Sequence, residues 1–385
     1  MRICQIVDSY FPVYDGVAIA VDNYTKILNK NGQDCFVVAP SYKNSNINFD
    51  YEVLKCLTTV DPFNKTYRWP LPMLDVQLKK ALMKDEISLI HAHGPFMVGH
   101  FGLRLAKAKK IPIVATFHTK FYDDLLESTH SKLMAKLTLK YIVKFYENCD
   151  CVIAVSEHAK ETLKQYGYRG EARIIPNGVD FTVPKYPDVA IKEIKKEYNI
   201  QAHEEVLLYV GMHNFKKNIK LIYEAAALYK KTNPNFKLLM VGAGNHLKKI
   251  KEMGETLGIH ENIIYVGTVR DRSKLAKIYL TADLFVFPST YDTISIVTRE
   301  AACCETPSVV VKKSGPAEGI THNVNGFLCE ENKASLAEQI EFALSNKTNL
   351  KKIAKEAAKT LPVTWEKVVE QVSDIYQELL EKNNE

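Results

Sequence analysis

The chain has 385 residues, 46% of them hydrophobic and 25% charged, with a formal net charge of +6. That length exceeds one small core and points to two domains of roughly 180–200 residues each. The mild charge and a mean hydropathy of −0.17 exclude a dedicated nucleic-acid binder, and no apolar run approaches membrane-spanning length; weak attraction to an anionic surface remains open.

The opening Arg2-Ile3-Cys4-Gln5-Ile6-Val7-Asp8 is a short apolar run closed by an acid, which reads as a first strand and not as a signal peptide. Further apolar runs follow at Cys35–Ala39, Ile87–His91, Ile111–Thr116, Cys151–Val155 and Arg173–Ile175, with helical stretches such as Ala18–Lys30 and Gly99–Lys109 between them. Short Val- and Ile-rich runs are what strands buried on both faces of a parallel sheet require. The second half repeats the design at Val206–Val210, Lys237–Val241, Ile263–Val266, Leu284–Phe287 and Ser308–Val311.

The expected fold class is therefore α/β, with two Rossmann-like, doubly wound domains facing a cleft. Prolines interrupt the pattern in Phe181–Val189, so the domains are placed at 1–183 and 184–364. A long amphipathic helix near Thr364–Lys382 leaves 365–385 as a segment crossing back toward the first domain. Eight scattered cysteines, with no CxxC pair, read as buried thiols of a cytoplasmic protein.

Chemistry-bearing residues fall at predicted strand ends. Each domain opens with a glycine turn, Asp15-Gly16-Val17 after Tyr14 in the first and Gly211 to Asn218 in the second; Gly242 and Gly244 form another. Glycine lets backbone approach a ligand closely, and Lys217 offers a positive charge to a diphosphate, though each motif taken alone is more often just a tight strand-to-helix turn. No turn matches a dinucleotide or P-loop signature.

His91 and His93 have the HxH spacing of some metal sites, but on an inner strand of an open sheet a metal is not expected. His118 stands where a strand end aims it into a cleft and suits hydrogen bonding. Cys303-Cys304 lies on the apolar side of a helix pattern and reads as packing, and no nucleophilic triad is visible. In Leu284–Val311, Asp292 follows an apolar run and Glu300 lies eight positions later on a helix. Free amides at such a helix start attract phosphate, and a carboxylate accepts bonds from sugar hydroxyls. An aspartate that merely caps the helix is the competing reading.

Lys132, Lys136, Lys140 and Lys144 recur every four residues, with Met134, Leu137, Tyr141 and Phe145 expected opposite them. The segment is either a surface helix burying that apolar side in the domain or a helix touching anionic lipid.

Taken together, the motifs resemble a retaining GT-B glycosyltransferase of the large family numbered four, closest to the branch that glycosylates lipids. The family's E-x7-E element resembles Asp292 to Glu300, and its following E-A-M-A-x-G-T-P-V resembles Glu300 to Ser308. Its G-R-L-x-x-E-K-N turn resembles Gly211 to Asn218, and its P-N-G-V-D resembles Pro176 to Asp180. Asn325-Gly326-Phe327 is similar to its late N-G-F, and Thr116-Phe117-His118-Thr119 to its T-x-H-T. The departures are Met212 for the usual arginine, Ile294-Ser295 for Phe-Gly, and Glu305 for glycine.

The resemblance implies metal-independent transfer of a hexose, with retained configuration, from a nucleotide-diphosphate sugar of UDP type to a membrane lipid or lipid-linked glycan. It implies no cofactor and no nucleic-acid partner. Lys217 and amides of Thr293, Ile294, Ser295 and Ile296 would meet the diphosphate, with Gly16, Gly211 and Gly242 beside it; His213 or Lys216 would compensate for Met212. Glu300 would hold the ribose, and Asp292 and His118 the sugar hydroxyls. A capsule or exopolysaccharide transferase and a non-catalytic sugar-nucleotide-binding module are the alternatives. The expected location is the cytoplasm, peripheral to the inner face of the cell membrane.

Overall fold

A computed structural model describes every residue except Tyr14, 43–46, 61–67, Asp180 and Glu385, so the parts of the glycine loop and of the P-N-G-V-D element at Tyr14 and Asp180 lie outside the described residues. The chain divides into two compact units, Met1–Gly178 with Val363–Glu385, and Val179–Pro362. The divisions fall at 178/179 and 362/363, where the sequence reading has 183/184 and 364/365.

The first unit contains β1 (Arg2–Ile6), β2 (Asp34–Pro40), β3 (Val53–Cys56), β4 (Thr58–Val60), β5 (Arg68–Pro70), β6 (Leu89–Ala92), β7 (Ile113–Phe117), β8 (Cys151–Ala154) and β9 (Ala172–Ile174). Seven of these form a parallel sheet in the order β3-β2-β1-β6-β7-β8-β9, while β4 and β5 pair as an antiparallel ribbon. The second unit contains β10 (Glu205–Val210), β11 (Phe236–Val241), β12 (Ile263–Gly267), β13 (Leu284–Val286), β14 (Ser308–Val311) and β15 (Phe327–Cys329). Their order is β12-β11-β10-β13-β14-β15, all parallel.

Both sheets reverse their winding once, between β1 and β6 and between β10 and β13. At such a reversal the loops leave the two strands in opposite directions, opening a crevice at their carboxyl ends. The central strands β1, β6, β10 and β13 are almost wholly buried, as their apolar runs require. The sequence reading has no strand at β3, β4, β5 or β15, each only three or four residues long. A strand as short as β13 (Leu284–Val286) is marked by an apolar run, which Lys55 in β3, the threonines of β4 and the Arg68 and Pro70 of β5 interrupt.

The helix Trp365–Asn384 completes the first unit's core. Trp365, Val368, Val369, Val372 and Tyr376 recur at helical spacing and pack with Ile3, Tyr24, Leu28, Leu89, Val114 and Ile153. The Trp365 indole meets Tyr24 edge-on at 5.8 Å and lies so close to Gly178 that an added Cβ there would stand 2.5 Å from the indole. The glycine of the Pro176-Asn177-Gly178 motif is thus what admits the tryptophan.

Replacing a buried tryptophan by alanine removes its transfer free energy and leaves a cavity, at about 3–5 kcal/mol. In Trp365→Ala, amides of β1 and β6 are expected to lose hydrogen-exchange protection by that amount while those of β10 and β13 keep theirs. Equal loss in both units would show that the helix does not belong to the first core alone.

Candidate functional site

At the reversal in the second sheet, β10 runs into the Gly211 turn. Asn214 caps a single helical turn, Phe215–Lys217, by accepting from the Lys217 amide at 3.2 Å. Asn218 then takes a left-handed conformation and donates through Nδ2 to the Pro288 carbonyl at 3.1 Å and to Glu331 at 2.7 Å, tying the end of β10 to the end of β13. Gly242 has φ +128°, and an added Cβ would lie 2.0 Å from the Gly211 carbonyl oxygen. The two glycine turns therefore press directly on each other, which no side chain would allow.

The opposite wall follows β13. Ser289 donates to Asp292 Oδ2 at 2.6 Å, and Lys217 Nζ meets Asp292 Oδ1 at 2.5 Å. The ends of β10 and β13 thus meet in one ion pair between side chains 17% and 20% exposed. The Tyr291 ring flanks both lysines, its centroid 5.0 Å from Lys217 Nζ and 5.5 Å from Lys216 Nζ.

Asp292 does not cap the following helix, Ile296–Cys303. Ser295 does: its Oγ accepts from the Thr298 amide at 3.2 Å, while its carbonyl accepts from Thr298 Oγ1 at 2.8 Å and Arg299 at 3.2 Å. Ser295 in place of glycine is a local cap. Thr293 and Ile294 lie between the ion pair and that cap, and Gly315, beyond the end of β14, presses on the backbone of Asp292 and Thr293. An added Cβ at Gly315 would come within 2.2 Å of the Asp292 carbonyl oxygen. Gly315 escaped the sequence reading because its contact is wholly tertiary.

Glu300, 4% exposed, does not touch Lys217 or Asp292 through any of its recorded bonds. Its Oε1 accepts from Arg272 at 2.7 Å and its Oε2 from the Tyr279 hydroxyl at 3.0 Å. The Arg272 guanidinium is half-exposed and lies 4.3 Å over the Phe181 ring. Sequence reasoning missed Arg272 and Tyr279, which stand 28 and 21 residues from Glu300 and share no motif with it.

Two departures from the family pattern now have physical accounts. Glu305 stands at φ +52°, just past the helix end, where Glu305 N bonds the Ala302 carbonyl and Thr306 N that of Ala301. This paired pattern normally favours glycine in the left-handed position, so the substitution is a backbone matter at the far end of the helix. Met212 is exposed and brings no charge. His213 does not replace the missing arginine, because it is buried and burial lowers its pKa; Lys216 at the Tyr291 ring is the cation that stands nearby.

In the first unit, Asp15 caps the helix Gly16–Lys30, accepting from the Ala18 amide at 2.8 Å and from Ser9 at 3.2 Å. Gly16 is thus the first helical residue. Asp8, past the end of β1, accepts from the Val98 and Phe96 amides at 2.7 and 3.2 Å, and burial nonetheless pushes its pKa up to about 6. His118 follows β7, with its Nε2 3.1 Å from His93 Nδ1. The HxH pair is engaged in hydrogen bonds: His91 with Tyr376 and Thr116, each at 2.6 Å, and His93 with Gln5 at 2.7 Å. Among the described residues, no group of three or more His, Cys, Asp or Glu is arranged to hold a metal ion.

The lysine-rich segment forms the helix Lys132–Glu147. Its buried face is Ala135, Leu139, Ile142, Val143, Phe145 and Tyr146. This corrects the expectation that Met134, Leu137 and Tyr141 pack into the domain beside Phe145. Leu133 is 67% exposed, and Met134, Leu137 and Tyr141 are each about half-exposed, interleaved with the four exposed lysines. The helix turns its larger apolar stripe inward, and Tyr141 stacks on His100 at the margin, with ring centroids 4.2 Å apart. Among the described residues, no helix is long and apolar enough to cross a membrane.

Two parallel sheets, each with one reversal, and acid and lysine converging at the second reversal fit the architecture of a glycosyltransferase. Residues 14–183 match the family described as Glycosyltransferase Family 4, and residues 190–360 match Glycosyl transferases group 1. The chain belongs to the glycosyltransferases built from these two domains, with the GT-B fold.

Among its relatives is the alpha-monoglucosyldiacylglycerol synthase of Streptococcus pneumoniae, 28% identical over 313 residues, covering 80% of this chain and 70% of the relative. The enzyme of the same name from Acholeplasma laidlawii is 24% identical, covering 100% and 98%. Among solved structures, HepE of Anabaena in complex with UDP superposes with a TM-score of 0.78 at 20% identity, covering 98% of this chain and 100% of that one. Sucrose-phosphate synthase of Thermosynechococcus elongatus superposes at 0.82, also at 20% identity, covering 99% and 100%.

The Glu305 conformation yields a prediction. A left-handed non-glycine residue costs about 1–2 kcal/mol, partly offset by glycine's greater unfolded-state freedom. Glu305→Gly should therefore stabilise the second unit by about 0.5–1 kcal/mol, read as a higher denaturant midpoint. A lower midpoint would show that the Glu305 side chain contributes more than its backbone costs.

Proposed function

We propose that this glycosyltransferase moves a hexose, with retained anomeric configuration, from a UDP-type nucleotide donor to a hydroxyl of a membrane glycolipid. The observation that carries the reading is the Lys217–Asp292 pair at the sheet reversal, with Glu300 held just over one turn into the helix that follows, Ile296–Cys303. The diacylglycerol-glycolipid names of the relatives support a lipid acceptor. HepE, solved with UDP-glucose, supports a nucleotide-sugar donor of UDP type.

In this reading Lys217, with Lys216 beside the same tyrosine ring, neutralises the diphosphate as it departs, and the amides of Thr293 to Ile296 add donors. Lysine charge takes the part that a metal plays elsewhere, so the reaction needs none. Glu300 accepts hydrogen bonds from the ribose, with Arg272 and Tyr279 orienting its carboxylate. Asp292 turns from lysine to sugar hydroxyls, and His118 contacts a sugar hydroxyl. The acceptor oxygen attacks the anomeric carbon on the face the diphosphate leaves. The leaving phosphate oxygen takes the acceptor proton, so no side chain becomes the nucleophile.

The helix Lys132–Glu147 seats the enzyme peripherally on anionic lipid. Leu133, Met134, Leu137 and Tyr141 enter the interface and Lys132, Lys136, Lys140 and Lys144 meet the headgroups. Exposed Met212 favours one second reading, a module that binds donor without transfer.

Two experiments test these statements. Lys217→Ala should lower kcat for hexose transfer from UDP-hexose to diacylglycerol-type lipid by about 10²–10³-fold. Donor binding without transfer by the wild-type chain, across an acceptor panel, would instead establish the binding module. At about 1 kcal/mol per lysine near an anionic surface, reversing all four lysines to glutamate should weaken sedimentation with phosphatidylglycerol-containing vesicles by at least about 100-fold. Unchanged sedimentation would remove the helix from the membrane contact.

A further inference from the structure

The interior of the first unit holds a polar chain that the proposed reaction uses only at its last member. Gln5, His91, His93, Thr116 and Tyr376 are each at most 4% exposed, and His118 is 9% exposed. Gln5 Nε2 faces Tyr376 Oη at 3.3 Å and Cys35 Sγ at 3.7 Å, so the amide oxygen faces His93 Nε2, at 2.7 Å. His93 Nδ1 in turn faces His118 Nε2 at 3.1 Å. Burial holds the rings of His91 and His118 neutral, lowering each pKa to about 3, and lowers His93 as well. A neutral imidazole has one N–H, so each donor in the chain sets the next.

An amide oxygen only accepts, and His93 Nε2 must therefore carry that ring's proton. His93 Nδ1 is then an acceptor, and His118 must donate to it from Nε2. His118 Nδ1 then carries a lone pair and not a proton. On the other branch, Tyr376 Oη accepts a hydrogen bond from the Gln5 amide N–H and donates to His91 Nδ1, and His91 Nε2–H donates to Thr116 Oγ1. The two branches agree in polarity, and the C-terminal helix supplies the hydroxyl at which they are anchored.

We infer that Gln5 and His93 are positioning residues that lock His118 in its Nε2–H form, so that it meets substrate only as a hydrogen-bond acceptor. This rests on the reading that His118 contacts a donor-sugar hydroxyl. An acceptor nitrogen welcomes a hydroxyl and repels the lone pairs of a carboxylate or phosphate oxygen. The relay thus selects a neutral sugar hydroxyl at that position over a uronic-acid carboxylate.

The test uses the full chain labelled with ¹⁵N-histidine. Two-bond ¹H–¹⁵N correlation should show His118 as the Nε2–H tautomer, unchanged from pH 5 to 8. His93→Gln offers an amide of the same polarity and should keep that tautomer, with the KM for UDP-hexose within a few fold of wild type. His93→Leu removes the acceptor and should release His118 into a tautomer mixture, lowering kcat/KM about tenfold, as loss of one oriented hydrogen bond implies.

An Nδ1–H tautomer in the wild-type chain overturns the inference, and that measurement needs no variant to fold. A wild-type tautomer that persists in His93→Leu overturns the role of His93. If His118→Phe transfers sugar as well as wild type while the Nε2–H tautomer stands, the sugar-contact reading falls and the relay survives as architecture alone.

Discussion

The second unit's site depends on one topological constraint: β10 lies between β11 and β13, so the chain leaves its two sides in opposite directions. Parallel strands buried on both faces have no place for charge along their length. Polar side chains are forced to the strand ends, and only where the loops part is there room for a ligand between them. Lys217 from the β10 turn and Asp292 from the β13 turn meet there because the sheet leaves them nowhere else to go. Gly242 and Gly315 serve the same constraint, letting neighbouring turns approach until backbone touches backbone.

Both acids of the element are engaged at rest, Asp292 by lysine and serine, Glu300 by arginine and tyrosine. A carboxylate removed from water without such partners would be costly, so these bonds make the acidic pair compatible with burial. Under the proposed function they would make nucleotide binding an exchange of partners: a diphosphate would compete with Asp292 for Lys217, and the carboxylate so released would accept from sugar hydroxyls where the lysine donated.

Much of this was legible in the residues. The central strands announced themselves because two-sided burial demands unbroken Val and Ile, and Lys217, Asp292 and Glu300 stood at the ends of such runs. What stayed hidden was tertiary. Arg272 and Tyr279 reach Glu300 from another helix, and nothing in their spacing signals it. Asp8, Gly315 and the partner of Trp365 are likewise choices made by packing. The rotation of the helix Lys132–Glu147 was misjudged for a related reason: its sequence carries two apolar stripes, and only packing against the rest of the unit decides which is buried. Glycine departures at Ser295 and Glu305 looked chemical in sequence and are conformational in structure, one a helix start and the other a helix end.

The placement of Trp365 to Tyr376 has a consequence for synthesis. Gln5 and Tyr376 are 371 positions apart, yet they share one core. The second unit is a continuous stretch, whereas the first is split around it. A chain emerging from the ribosome therefore has the strands of the first unit waiting on the helix Trp365–Asn384, made after the second unit, while that unit already has all its own strands. Domains usually fold in the order in which they are made. Here the order of completion is inverted, and the exposed face of β1 and β6 during that interval is a natural client for a chaperone.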